Sequence, residues 1–197
     1  MNGLTVNRIP SKVGKEYIKN NHYSGSCHNG PMCWGLFRED ELVGVCAFAT
    51  PCSENVRRSI FGPDSKHRVT ELHRLHTQDD LPENALSWFV TRAIRGLLEY
   101  RPDIRGILSF ADSTEGHHGG IYKALNFLYK GTTGRARFYR DQSGSLRHPR
   151  QCGVNIDLEE ARQRGWKPEY REAKHRYLLV TGPTRSEKKY WTRQVKI

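Results

Sequence analysis

The chain lacks several of the features that assign a protein quickly. It has five cysteines, Cys27, Cys33, Cys46, Cys52 and Cys152, and no Cys-x-x-Cys pair. An odd, scattered set argues against a disulfide framework. Cys27, His28 and Cys33 do not have structural-zinc spacing, so they read as loop and strand thiols and no metal is assigned. No run of eighteen apolar residues occurs, so no membrane-spanning helix and no membrane partner are expected. The opening residues MNGLTVNRIPSKVGKEY contain no apolar signal core, which points to a cytoplasmic protein. Internal repeats, low-complexity tracts and a clear interdomain linker are also missing.

What remains is a 197-residue chain, 36% hydrophobic and 27% charged. That is enough for one core and one domain. The net charge of +11 is unevenly spread. Residues 131–197 hold 16 Lys and Arg against 7 Asp and Glu, a balance of +9, whereas residues 1–130 carry only +2. Concentrated positive charge is the footprint of a polyanion binder. Arginines interleaved with rings, as in Arg135, Arg137, Phe138, Tyr139 and Arg140 and later around Trp166, Tyr170, Tyr190 and Trp191, can hold phosphates and stack on bases. Arg135, Arg137, Arg140, Arg147 and Arg150 are therefore the expected nucleic-acid contacts.

Periodicity supplies the elements. Leu4–Ile9 reads as a strand and Ser11 as the cap of a helix to about Asn20. Two strands, Cys33–Phe37 and Leu42–Ala49, read as a hairpin, and Val69–His76 as another strand. Pro51–Lys66 reads as a polar excursion. Leu86, Phe89, Val90, Ala93, Ile94, Leu97 and Leu98 recur at three- and four-residue spacing, which predicts a helix over Asn84–Tyr100. Arg105–Ala111 reads as a buried strand and Gly120–Tyr129 as a helix. Arg135–Tyr139 and Tyr177–Val180 are late strands. Gln142–Lys174 reads as largely irregular, with a short helix near Leu158–Gln163. The tail after Pro183 reads as an arm. The expected class is α/β (mixed α+β), a central twisted mixed sheet flanked by helices in one domain with a basic C-terminal extension. Residues 1–141 are the expected catalytic core, and 142–197 a basic region completing the sheet and contacting nucleic acid.

The stretch Ser109–Gly131, SFADSTEGHHGGIYKALNFLYKG, is the densest in chemistry. A buried strand delivers Asp112 to its end, and a Gly- and His-rich turn leads into a helix. In α/β folds ligands collect at the carboxyl ends of strands.

The element order is that of the Gcn5-related N-acetyltransferase (GNAT) fold. Within it the blocks Asn21-His22-Tyr23-Ser24-Gly25, Glu71-Leu72-His73-Arg74-Leu75, Pro82–Ser87, Ser109-Phe110-Ala111-Asp112, Gly116–Tyr122, Asn126-Phe127 and Tyr129-Lys130-Gly131 resemble the phage Mom family over roughly residues 15–135. The resemblance implies modification of DNA adenine at N6 with a carbamoylmethyl group in the host bacterial cell, protecting phage DNA from restriction. It implies a site of His22, Tyr23, Arg74, Asp112 and Tyr122, with Asn126 and Tyr129 nearby. Ser24, Glu71, Ser109, His117 and Gly119 join these as expected substrate-facing residues.

Adenine N6 is a poor nucleophile because its lone pair is delocalised, so an acceptor must take its proton. Asp112 and His22 both qualify. Tyr23 or Tyr122 could stack on the base or donate to an oxyanion, or be core rings. Arg74, mid-strand among apolar neighbours, is expected to meet an anion: a donor carboxyl or phosphate, Glu71 or Asp112. A target inside duplex DNA must be flipped out or met in opened DNA. Acetyltransferases of this fold hold the coenzyme A pyrophosphate in a Gly-rich turn. Here that turn, His76–Asn84, has no glycine and three acids, which disfavours acetyl-CoA. A glycyl group on N6 is an isomer of the carbamoylmethyl product, so glycyl-tRNA is the expected donor and tRNA a second partner. Two alternatives remain: an acyl-CoA-dependent GNAT acyltransferase acting on a small amine or protein, and a non-catalytic nucleic-acid-binding protein.

Overall fold

The computed structural model describes residues 3–149 and 156–197. Arg150 and Cys152 lie outside the described residues. The chain forms β1 (Leu4–Ile9), α1 (Ser11–Asn21), β2 (Met32–Arg38), β3 (Glu41–Ala49), α2 (Glu54–Phe61), a 3-10 turn (Pro63–Arg68), β4 (Val69–Thr77), α3 (Ala85–Tyr100) and β5 (Gly106–Ala111). There follow a second 3-10 turn (Ser113–Glu115), α4 (Gly120–Ala124), β6 (Leu128–Thr132), β7 (Ala136–Arg140), β8 (Leu146–Arg147), α5 (Leu158–Gln163), β9 (Lys167–Arg171), β10 (His175–Val180) and α6 (Arg185–Arg193).

The residues fall into two compact units. The first holds the chain up to Phe110, Gly119–Lys130 and Tyr177–Ile197. Its sheet runs β1-β2-β3-β4-β5-β10-β6. β1 to β4 are antiparallel neighbours, and β4 pairs with β5 in parallel. Long apolar runs in β2, β3 and β5 suit strands covered on both faces. Leu36, Val43, Val45, Phe48, Ile107 and Leu108 are fully buried. The apolar stripe of α3 seats Phe89, Val90, Ala93 and Leu97 in the same core, each large side chain contributing about 1.5–3 kcal/mol. Gly96 lets that helix close on Trp34, whose ring would lie 2.4 Å from a Cβ there.

The second unit, Ala111–His118 and Gly131–Arg176, has its own three-stranded sheet, β8-β7-β9. Tyr139, Ile156 and Ala161 form its small core, with Leu158 and Trp166 against it.

Five expectations need correction. Gln142–Lys174, expected to be largely irregular, contributes the strands β8 and β9, which pair with β7. Pro51–Lys66 contains a helix, α2, started by Ser53 accepting from the Val56 N–H at 3.4 Å. The tail is not an arm: α6 is helical, and Trp191, Val195 and Ile197 pack on the cluster of Ile60, Phe61, Leu108 and Leu178. Ser11 is the first residue of α1, with Pro10 before it and no side-chain cap. The helix expected to reach Tyr129 stops at Ala124 because Asn126 turns left-handed (φ 59°) and sends the chain into β6.

Candidate functional site

The parallel ladder between β4 and β5 ends at Leu72 opposite Ser109. Both strands continue beyond that pair. The partner β3 also changes register here: Ala47 faces Arg74 while Phe48 faces Leu72, leaving His73 as an extra residue. A bulge of this kind re-aims side chains and is common beside active sites.

Several polar side chains of the first unit gather at this point. Ser109 is fully buried and its hydroxyl donates to the Leu72 carbonyl at 3.0 Å. Tyr122, on α4, is also buried and hydrogen-bonds to Ser109. Burial pushes the Tyr122 phenol up to about 12. The Ser109 bond acts the other way, and Cys46, Tyr23 and Glu71 add to the rise. Tyr122 is thus a protonated hydrogen-bond donor near neutral pH, and Tyr23 and Glu71 lie near enough to feel its charge.

Glu71 and His73 sit two apart on β4, and His73 Nδ1 lies 3.2 Å from Glu71 Oε1. Both side chains are largely shielded. A carboxylate on Nδ1 favours the tautomer that leaves Nε2 as an acceptor. His28 meets the His73 ring edge-on at 5.9 Å. His73 was not singled out from the sequence; the signal was the i, i+2 spacing with Glu71, which places both on one strand face.

His22 caps the end of α1. The Ser24 backbone N–H donates to its Nδ1 at 3.1 Å, and the Ser24 hydroxyl is 2.9 Å from the same atom. Nδ1 must offer its lone pair to that N–H, so neutral His22 carries its proton on Nε2. This geometry makes His22 a donor at Nε2. Tyr23 stacks on it with centroids 4.2 Å apart and remains exposed.

Arg74 is held by backbone carbonyls of the first unit. Its guanidinium donates to the Ser26 carbonyl (2.9 Å) and the His73 carbonyl (2.7 Å), so its partners are neutral carbonyls rather than an anion. It fixes the loop after His22 onto β4.

Behind Tyr122 stands an aromatic row. Tyr177, buried on β10, lies 5.2 Å from Tyr122 and 5.4 Å from Tyr129, whose ring is half exposed. Gly119 (φ 73°) begins α4 under Tyr177, and a Cβ there would come within 2.2 Å of that ring. Gly119 therefore serves packing. Asn126 is exposed and serves the turn.

In the second unit, Asp112 is buried, caps the turn at Ser113–Glu115 through the Thr114 N–H (3.1 Å), and pairs with Lys174 at 2.8 Å. Burial raises its carboxyl, but Lys174, with Arg171 and the Thr114 N–H, outweighs this and holds it below the usual range. His117 and His118 are exposed there. The arginines expected to meet nucleic acid are engaged locally: Arg135 with Glu172, Arg140 with Glu169 at 2.6 Å and Arg147 with Asp141 at 2.8 Å. Arg137 lies over the Tyr139 ring at 5.7 Å.

Burial pushes the Cys33 thiol up to about 12 and Cys46 well above its usual value. Among the described residues no three His, Cys, Asp or Glu side chains assemble as a metal ligand set, and no helix is long and apolar enough to cross a membrane. At the start of α3, where coenzyme A pyrophosphate would sit in this fold, Asp79, Asp80 and Glu83 are exposed and the Ala85 N–H is used by the Pro82 carbonyl at 3.0 Å. Among the described residues, Asp80 pairs with Arg38 at 2.8 Å, and Asp79 and Glu83 make no ion pair. These residues do not fit a pyrophosphate.

A family described as the Mom protein family matches residues 3–196. "Methylcarbamoylase mom" of Escherichia phage Mu is 28% identical over 130 residues, 66% of this chain and 54% of that protein. The chain thus spans about half the length of the curated relative it matches. Among solved structures, a Salmonella typhimurium protein assigned as an acetyltransferase and holding acetyl-CoA superposes with TM-score 0.54 at 10% identity, over 93% of this chain and 97% of that one. A GNAT-family acetyltransferase from Streptococcus pneumoniae gives 0.52 at 9% identity, over 91% and 99%. At such identities the likeness establishes the fold, which is the GNAT fold.

Proposed function

Because this chain belongs to the Mom protein family, we propose that it places a carbamoylmethyl group on the N6 of adenine in DNA. The observation that carries the reading is the cluster of Ser109, Tyr122, Glu71 and His73 where the β4–β5 ladder ends. It joins a carboxylate-oriented imidazole to a hydroxyl pair that fixes the ladder end, and His22 supplies an N–H donor, so a proton acceptor and a donor are both present for acylation of a weak amine.

In this reading His73 Nε2 takes the proton from adenine N6 as N6 attacks a glycyl ester carbonyl. The N–C bond forms, the ester C–O bond breaks, and the leaving hydroxyl of a glycyl-tRNA takes up the proton. The Nε2–H of His22 donates to the carbonyl oxygen as it gains charge, while Tyr122, donating to the Ser109 hydroxyl, holds α4 against the end of the ladder. The product, ring–NH–CO–CH2–NH2, becomes ring–NH–CH2–CO–NH2 when the glycyl amine attacks ring carbon 6 and the original C6–N bond breaks. Atoms balance because the two are isomers. Tyr129, exposed at the end of the aromatic row, offers a face on which a flipped base can stack. Asp112, already bound to Lys174, serves as a structural anion in this scheme and not as the base.

A second reading, acyl transfer from coenzyme A, is favoured by the shared fold of the Salmonella protein that holds acetyl-CoA. The acids at the start of α3 weigh against it.

Nucleoside mass spectrometry of DNA from expressing cells tests the choice. The expected result is a deoxyadenosine heavier by one glycyl unit, labelled by isotopic glycine, and reduced about 10²–10⁴-fold by His73→Gln. Unlabelled, unmodified DNA together with tight coenzyme A binding would transfer the assignment to the second reading.

A further inference from the structure

Helix α6 is built as two faces. Thr184 accepts from the Glu187 N–H at 3.1 Å and starts it. Glu187, Trp191, Gln194 and Val195 are the partly shielded positions, and their i, i+4, i+7, i+8 spacing is one side of a helix. Glu187 bonds to Arg105 at 3.4 Å, and Trp191 meets Phe61 at 5.2 Å, with Arg68 over its ring. This side is fixed to the first unit.

The other side carries Arg185, Lys188, Lys189, Thr192 and Arg193, all exposed and lining one shallow surface concavity. Their spacing, i, i+3, i+4, i+7 and i+8, again defines a single stripe. Among the described residues, none of the four cations has a carboxylate within ion-pairing distance, in contrast to Arg135, Arg140 and Arg147 of the second unit. Four unpaired cations held on an anchored helix repel one another and gain from a partner that brings evenly spaced negative charge.

We infer that this stripe of α6 is a contact surface for the phosphate backbone of duplex DNA. Arg185 to Arg193 covers about 12 Å at about 1.5 Å per residue. One strand of duplex DNA rises about 3.4 Å per phosphate, so the stripe meets roughly three to four phosphates of a single strand. The rows of cations repeat every turn of the helix, and Thr192, whose hydroxyl donates to the Lys188 carbonyl at 2.7 Å, lies on the same stripe. Backbone contacts of this kind position a duplex without reading its sequence. The inference rests on duplex DNA being the substrate, and it locates the grip on α6 instead of on the arginines of β7.

The test uses the full chain and a short labelled DNA duplex. Binding is followed by fluorescence anisotropy over a series of salt concentrations. Arg185→Ala, Lys188→Ala, Lys189→Ala and Arg193→Ala are combined in one variant, checked by circular dichroism. The slope of log affinity against log salt is expected to shrink by about three, close to 0.9 per phosphate contact, and affinity at low salt to fall at least a hundredfold. The milder pair Lys188→Gln and Lys189→Gln should remove about two from the slope. Arg135→Ala with Arg140→Ala should leave it nearly unchanged. An unchanged slope in the fourfold variant overturns the inference, as does a slope loss seen with tRNA and absent with the duplex. If the wild-type protein modifies DNA while the slope is unmoved, only the surface is wrong. If the slope falls as expected and no modified nucleoside is made, the surface stands and the proposed chemistry fails.

Discussion

The two units of this chain solve the problem of holding polar groups in different ways. In the first, the site is built from hydroxyls and rings in close contact: Ser109 against Tyr122, Tyr122 against Tyr177, and Tyr177 over Gly119. In the second, the polar groups are held by charge: Asp112 with Lys174, Arg140 with Glu169, and Arg171 with Glu115. Close packing is nearly blind to pH and salt, whereas ion pairs respond to both. A basic composition alone therefore says little about where a polyanion binds, because most of the arginines of β7 are already spoken for by neighbours.

Gly119→Ala should break the first arrangement most severely. The new methyl meets the Tyr177 ring, and the left-handed backbone resists any side chain. A loss of about 2–4 kcal/mol is expected, measured by urea unfolding, with the activity lost in parallel. A wild-type midpoint would show that β10 yields more easily than its burial implies.

Asp112→Asn should be next, costing about 1–3 kcal/mol through the loss of a charge-assisted partner for Lys174. Its sign with pH is fixed. The folded carboxyl lies below its ordinary value, so its contribution is complete above the unfolded pKa of about 3.9 and disappears as pH falls through the lower folded one. Wild-type stability should drop in that acid window, and the variant should lose less there. Equal acid limbs would remove Asp112 from the account.

Arg140→Ala should be the smallest change, within about 1 kcal/mol, because its pair with Glu169 is exposed. A larger effect would mean that the pairs on β7 and β9 act as a network.

Much of this was visible in the residues. The stripe Phe89, Val90, Ala93, Leu97 set α3, and the apolar runs of β3 and β5 set the sheet centre. The two missed helices had weaker apolar signals but clear starts: Ser53 ahead of α2, and the Thr184-x-x-Glu187 spacing ahead of α6, where Thr184 caps the Glu187 N–H. Each relies on one or two large anchors, Ile60 and Phe61 for one and Trp191 for the other, too few for periodicity to register. His22, Tyr23 and Tyr122 could be named from their blocks, and the fold brings Tyr23 beside His22 and near Tyr122. The pairing of Glu71 with His73 was available in their two-residue spacing on β4, a signal too common along strands to single them out. Arg74 was expected to meet an anion because it lies mid-strand among apolar neighbours; within the protein, carbonyls of a loop and of its own strand receive its guanidinium.

The position of β10 in the sheet bears on the order in which the molecule can be completed. β6 has β10 as its sole neighbour in that sheet, and β10 is made more than forty residues later. Until Tyr177 has been synthesised, Tyr122 and Tyr129 have no ring between them. A chain that stops short of that residue lacks the central ring of the aromatic row. Maturation would then behave as a gate that opens only once β10 has been made.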